Sequence, residues 1–116
     1  MKAIIYHNPR CSKSRETLAL LRERGVDVEV VEYLQDPPTV ERLDALCGLL
    51  GVEPQALLRA KETRAAELGL TREDRRSRQE WLKILVENPV LLERPIVVKG
   101  GRAVLGRPPE NVLAIL

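Results

Sequence analysis

Phenylalanine is absent from the 116-residue chain, which holds only one tryptophan and two tyrosines. The core must therefore be built from Leu, Val, Ile and Ala, and a base-stacking surface for single-stranded nucleic acid is not expected. Charge of one sign is also missing. Nineteen basic against seventeen acidic residues leave a formal net charge of +2, too balanced for a nucleic-acid-binding domain recognised by bulk charge. No apolar run approaches the ~18–20 residues of a membrane span or the length of a signal peptide. These absences imply a cytoplasmic protein, with no nucleic-acid or membrane partner. Cysteine is scarce: Cys11 and Cys47 are far apart and His7 is the only histidine, which gives neither a disulfide scaffold nor a metal-ligand set. No Gly-rich run precedes a Lys-Ser or Lys-Thr pair, so a nucleotide-binding P-loop is excluded.

Most of the chemistry is concentrated near the start, in Tyr6-His7-Asn8-Pro9-Arg10-Cys11-Ser12-Lys13-Ser14-Arg15-Glu16. The apolar residues before it predict a strand over residues 2–6, and the apolar spacing after it predicts a helix from 12 to about 24, stopped by Gly25. Cys11 then sits at a helix start, where unpaired N–H groups and the macrodipole favour an anion. With Arg10, Lys13, Arg15 and His7 nearby, its pKa should fall from ~8.5 into a window of roughly 3.5–7.5. The same features suit a small oxyanion. Cys11 and Ser14 form C-x-x-S, so an intramolecular disulfide is impossible there and any redox chemistry requires an outside thiol. The phosphatase loop, which also cradles an oxyanion beside a thiolate, places an Arg where this chain has Thr17, and is rejected. Cys47 falls on an apolar helical face with Val40, Leu43 and Leu50 and reads as core.

The rest of the chain supplies a frame for that site. Residues 28–33 read as a second strand, giving a βαβ unit with parallel strands. Thr39 is a candidate N-cap for a helix ending near Gly48 or Gly51. Further short helices are predicted over 54–59, 64–68 and 77–86. The charged run from Thr71 to Arg78 mixes both signs and reads as a solvated connection. Two strands, 95–99 and 102–106, flank Gly100-Gly101, a strong two-residue hairpin signal, and a helix over 110–116 closes the chain. Together these predict an α/β, thioredoxin-like fold, βαβ + ββα with a four-stranded mixed sheet, in one domain carrying a helical insertion at about 39–92. In such a fold the proline opening the third strand, here Pro95, is commonly cis and faces the helix-start cysteine. Arg94 and Arg107 would accompany it, and their forked guanidinium groups suit tetrahedral oxyanions.

The chain resembles the ArsC family of arsenate reductases, the glutaredoxin-coupled type, over essentially its whole length. The resemblance is carried by Ile5-Tyr6-His7-Asn8-Pro9-Arg10-Cys11-Ser12-Lys13-Ser14-Arg15, Ala56-Leu57-Leu58-Arg59, Glu93-Arg94-Pro95-Ile96-Val97-Val98 and Gly106-Arg107-Pro108-Pro109-Glu110. It implies that Cys11 is the nucleophile, that His7 helps lower its pKa, and that Ser14 and Arg15 complete the catalytic motif. Arg59, Arg94 and Arg107 would form the triad that binds arsenate. Ser12-Lys13 is similar to the YfgD-like branch, whereas arsenic-resistance members more often carry Gly-Thr after the cysteine. The implied protein is a monomer with no bound cofactor, using glutathione as co-substrate and glutaredoxin as partner. Two other readings are a thioredoxin-fold thiol oxidoreductase acting on another substrate, and a non-catalytic Spx-like module that binds a protein partner. Spx relatives usually present C-x-x-C, which Cys11 and Ser14 do not match.

Overall fold

The computed structural model describes residues 2–116, which form two compact units: residues up to Asp36 with Arg94–Leu116, and Pro37–Glu93.

The first unit is built on a four-stranded mixed sheet. Its strands are β1 (Ala3–His7), β2 (Val28–Glu32), β3 (Ile96–Lys99) and β4 (Arg102–Leu105), in the order β2-β1-β3-β4. β1 runs parallel to β2 with Ile5 opposite Val30, and antiparallel to β3 with Ile5 opposite Val97; β3 and β4 are antiparallel. The parallel pair follows from the crossover helix α1 (Ser12–Glu23). The hairpin between β3 and β4 follows from Gly100 and Gly101, whose φ angles of 60° and 76° suit a tight primed turn.

Side chains paired across the sheet share a face, so Ile5, Val97 and Val104 point together. On that face Ile5, Leu21, Val97, Val112 and Ile115 make one buried cluster, with Leu18, Leu20, Val26, Val28 and Val104 packed around it. Each fully buried aliphatic side chain contributes about 1.5–3 kcal/mol. The cluster presses α1 and the C-terminal segment against the sheet, and so fixes the loop before α1.

The boundaries differ from the sequence expectation in places with identifiable causes. β1 extends through His7, because His7 still pairs with Glu32 of β2. The C-terminal segment, expected as an α-helix, is a 3₁₀ helix over Pro109–Ile115, and Pro109, Val112 and Ile115 are its buried residues. Side chains three apart eclipse in a 3₁₀ helix, so this spacing buries all three on one line. The buried face of α1 is Ser14, Thr17 and Leu21, while Leu18 and Leu20 are only partly covered. Polar groups occupy that face because they tie the helix to the neighbouring loops, as described below.

The second unit is a helical block. α2 (Val40–Leu50) starts at Thr39, whose side chain accepts from the Arg42 N–H, and ends at Gly51, whose φ of 71° is left-handed. α3 (Thr63–Glu67) is short, and α4 (Arg78–Glu87) opens on a capping box between Ser77 and Glu80. The helix expected over 54–59 is a 3₁₀ turn, Pro54–Leu57. Leu58 beyond it makes an isolated antiparallel bridge with Leu92. A further 3₁₀ turn, Pro89–Leu91, had no clear sequence signal beyond Asn88-Pro89. Leu43, Leu46, Cys47, Trp81, Leu82 and Leu85 are all fully buried. Burial pushes the Cys47 thiol up to about 11, as expected of a core cysteine. Among the described residues no helix is long and apolar enough to cross a membrane.

Candidate active site

Cys11 occupies the N-cap of α1 with extended backbone, φ −96° and ψ 123°. Its N–H donates to the Asn8 carbonyl at 3.0 Å, closing a turn, and its own carbonyl accepts from Arg15 N–H at 3.0 Å, opening the helix. The sulfur therefore stands over the free amides of the first turn. Burial of the thiol opposes its ionisation. The Ser14 amide, the Arg94 guanidinium through hydrogen bonding and charge, and the Lys13 amide outweigh it, and the pKa falls below its ordinary value.

The loop that carries Cys11 is held from inside. Ser14 is fully buried, and its Oγ lies 2.6 Å from His7 Nδ1 while accepting from the Asn8 N–H at 3.0 Å. Burial pushes His7 below its ordinary value; Glu32 opposes that shift, and Arg22 and Arg15 reinforce it. Nδ1 of His7 and Oγ of Ser14 thus share one buried hydrogen bond. His7 is therefore hydrogen-bonded to Ser14, whose backbone amide in turn lowers the Cys11 pKa. Arg15 Nη1 donates to the Pro9 carbonyl at 2.9 Å, bracing the same loop. Asn8 was named in the sequence only as part of the motif, yet its side-chain oxygen accepts from Arg10 N–H at 3.0 Å and it is buried. Asn-Pro before a helix start was the available signal for such a turn.

Two of the three expected arginines converge on Cys11. Arg107 Nη1 lies 3.9 Å from Cys11 Sγ, a long contact to sulfur, and also donates to the Arg94 carbonyl at 3.4 Å. Both arginines precede cis prolines, at Arg94–Pro95 as anticipated and at Arg107–Pro108, which was not. Their placement depends on a close approach of three elements. The single Thr17 hydroxyl proton is shared between the Lys13 carbonyl, 2.7 Å from Oγ1, and the Gly106 carbonyl, 3.2 Å away, while Gly106 N–H donates to the Pro95 carbonyl at 2.9 Å. The sequence marked neither Thr17 nor the need for glycine at 106. Arg59 belongs to the second unit, where its Nε lies 3.3 Å from Glu62 and its Nη1 3.4 Å from Glu93. Its N–H donates to the Leu91 carbonyl at 2.7 Å, and Arg72 grips the neighbouring Leu58 carbonyl with Nε and Nη2.

A thiol with a lowered pKa stands at a helix start on a thioredoxin-like sheet, with two guanidinium groups beside it. The ArsC family pattern matches residues 6–115, and the chain belongs to that family. It is 50% identical over 113 residues to the uncharacterized protein YfgD of Escherichia coli K12, covering 97% of this chain and 94% of that one. It is 44% identical over 117 residues to the arsenate reductase of Haemophilus influenzae, covering all of both. A solved structure of arsenate reductase from Vibrio cholerae superposes with a TM-score of 0.94 at 49% identity, covering 100% of this chain and 98% of that one.

Proposed function

We propose that the chain is a glutathione- and glutaredoxin-dependent arsenate reductase. The observation that carries this reading is the convergence of Arg94 and Arg107 on a Cys11 thiol whose ionised form is favoured. Relatives named arsenate reductase over the full length support the substrate. Arsenate is bound by Arg94, Arg107 and the free amides of the α1 start, with Arg59 as the third arginine implied by the family. The Cys11 thiolate attacks arsenic and displaces one oxygen as hydroxide or water, forming a Cys11–S–As bond. Arginine charge and amide donors stabilise the negative oxygens as this bond forms. The glutathione thiolate then attacks the Cys11 sulfur. An S–S bond forms, the S–As bond breaks with its electron pair passing to arsenic, and arsenite leaves. Glutaredoxin accepts the glutathionyl group from the mixed disulfide and returns Cys11 as a thiolate.

The test is arsenate-dependent NADPH consumption in an assay coupled through glutathione, glutaredoxin and glutathione reductase. Wild type should turn over, and Cys11→Ser should lose turnover completely while staying folded. An inactive wild type with a low Cys11 pKa would overturn arsenate as the substrate and leave a thiol oxidoreductase acting elsewhere. An inactive wild type with an ordinary Cys11 pKa would favour a non-catalytic binding module.

A further inference from the structure

A second feature of the first unit lies on the far limb of the turn that carries Cys11. His7, Asn8, Pro9 and Arg10 form one wall of an open cleft of about 150 Å³, and Glu32, Leu34 and Gln35, just beyond β2, form the other. Tyr33, between these last residues, is buried, which holds the second wall in place. The lining combines groups of different kinds. Arg10 offers a cation, Glu32 an anion and Gln35 an amide, while Pro9 and Leu34 supply apolar surface, and Leu34 is 40% exposed. A mixed lining of this kind does not suit a simple inorganic anion.

We infer that the cleft seats the glutamyl end of glutathione, the thiol co-substrate. The inference rests on the glutathione dependence proposed above and deepens it. A γ-glutamyl group presents an ammonium and a carboxylate on one carbon, followed by two methylene groups and an amide. Glu32 meets the ammonium, Arg10 the carboxylate, Leu34 and Pro9 the methylenes, and Gln35 the amide. Paired charges of opposite sign in one cleft reject ligands carrying only one of them.

The reach is compatible with the chemistry. Cys11 N–H is bonded to the Asn8 carbonyl at 3.0 Å, so the cleft wall and the nucleophile stand at the two ends of one turn. The ends of such a turn lie within about 7 Å of each other between Cα atoms. Two extended residues span about 7 Å, the length of that turn, and this is the reach the assignment requires of a tripeptide seated by its glutamyl end. The cleft would therefore set the rate at which glutathione, among thiols, reaches the Cys11 sulfur.

The deciding experiment leaves arsenate out. Glutathione disulfide is mixed with reduced protein, and formation of the Cys11–S–S–glutathione bond, with release of one glutathione thiolate, is followed by mass spectrometry. The comparator is hydroxyethyl disulfide, which carries no charge and no glutamyl group. Glu32→Lys and Gln35→Ala are tested with wild type, and the Cys11 pKa is titrated in each. The expected result is a rate with glutathione disulfide that drops about tenfold in Glu32→Lys and less in Gln35→Ala. The rate with hydroxyethyl disulfide, compared at equal Cys11 thiolate fraction from the titrated pKa of each variant, should be unchanged. Equal losses with both disulfides, or no loss with either, would overturn the cleft assignment. A wild type that prefers glutathione disulfide but shows no arsenate turnover would sink the arsenate reading alone.

Discussion

At the scale of single residues, the site works by making an anion favourable at one sulfur and unfavourable at the other. Cys11 has amides and Arg94 to receive its charge, whereas at Cys47 burial dominates and the nearby Arg78 charge is opposed by Asp44 and Glu53. Alkylation at neutral pH should therefore modify Cys11 and leave Cys47 intact in the folded protein. Replacing Arg94 by Gln removes both a hydrogen bond and a positive charge, so the Cys11 pKa should rise towards its ordinary value, read from ultraviolet thiolate absorbance against pH. An unchanged titration would mean that the helix amides and Arg107 control the sulfur without Arg94. The sign of the stability effect follows from the same shift. A group whose folded pKa is depressed contributes fully above its unfolded value of 9.0, and that contribution fades as pH falls through the folded value. His7 acts in the same sense, since its folded value lies below 6.5 and acidification favours the unfolded chain, which binds that proton more readily. Cys47 acts oppositely, losing stability as pH rises from 9.0 through about 11. Denaturant midpoints across pH should decline on both sides, and Arg94→Gln should flatten the part due to Cys11.

At the scale of elements, the meeting of α1, β4 and the start of β3 decides where the arginines point. A Cβ built on Gly106 would lie 2.6 Å from Thr17 Oγ1 and 2.8 Å from the Pro95 ring, and Thr17 is fully buried with nowhere to turn. Gly106→Ala should cost about 1–3 kcal/mol by overpacking. It should also raise KM for arsenate through displacement of Arg107, with urea unfolding and steady-state kinetics as the readouts. Wild-type stability and KM in this variant would show that the seam is softer than its contacts indicate. This junction also marks the limit of what the sequence made legible. The order βαβ, helical block, ββα could be read because strand residues, glycine stops and the Gly100-Gly101 hairpin are local signals. Cys11 at a helix start was legible for the same reason. The buried polar face of α1 was not, because Ser14 and Thr17 break the apolar period for partners that lie elsewhere in the chain. The 3₁₀ path of Pro109–Ile115 was missed because a seven-residue segment fits either helical period until the core it meets is known.

At the scale of the whole molecule, Arg94 and Arg107 belong to one compact unit and Arg59 to the other, and it is the family resemblance that implies a common oxyanion for all three. Within its own unit Arg59 is already engaged by Glu62 and Glu93, so its presence in the oxyanion site needs a functional demonstration. A double-mutant cycle on Arg59→Ala and Arg94→Ala provides it, with phosphate inhibition as the ligand readout because phosphate shares arsenate's tetrahedral charge. Two arginines that bind one oxyanion should couple by about 0.5–3 kcal/mol, whereas independent sites should add within a few tenths. Protection against unfolding supplies a second readout. A ligand that binds only the folded state at one hundred times its Kd adds about 2.7 kcal/mol of stability. Trp81, the only tryptophan and fully buried, reports unfolding of the unit that holds Arg59. Phosphate should raise the midpoint seen by Trp81 fluorescence in wild type, and the rise should shrink in Arg59→Ala. Additive inhibition constants together with undiminished protection would remove Arg59 from the substrate site. Its role would then be to anchor Glu62 and Glu93, leaving Arg94, Arg107 and the α1 amides to hold the oxyanion.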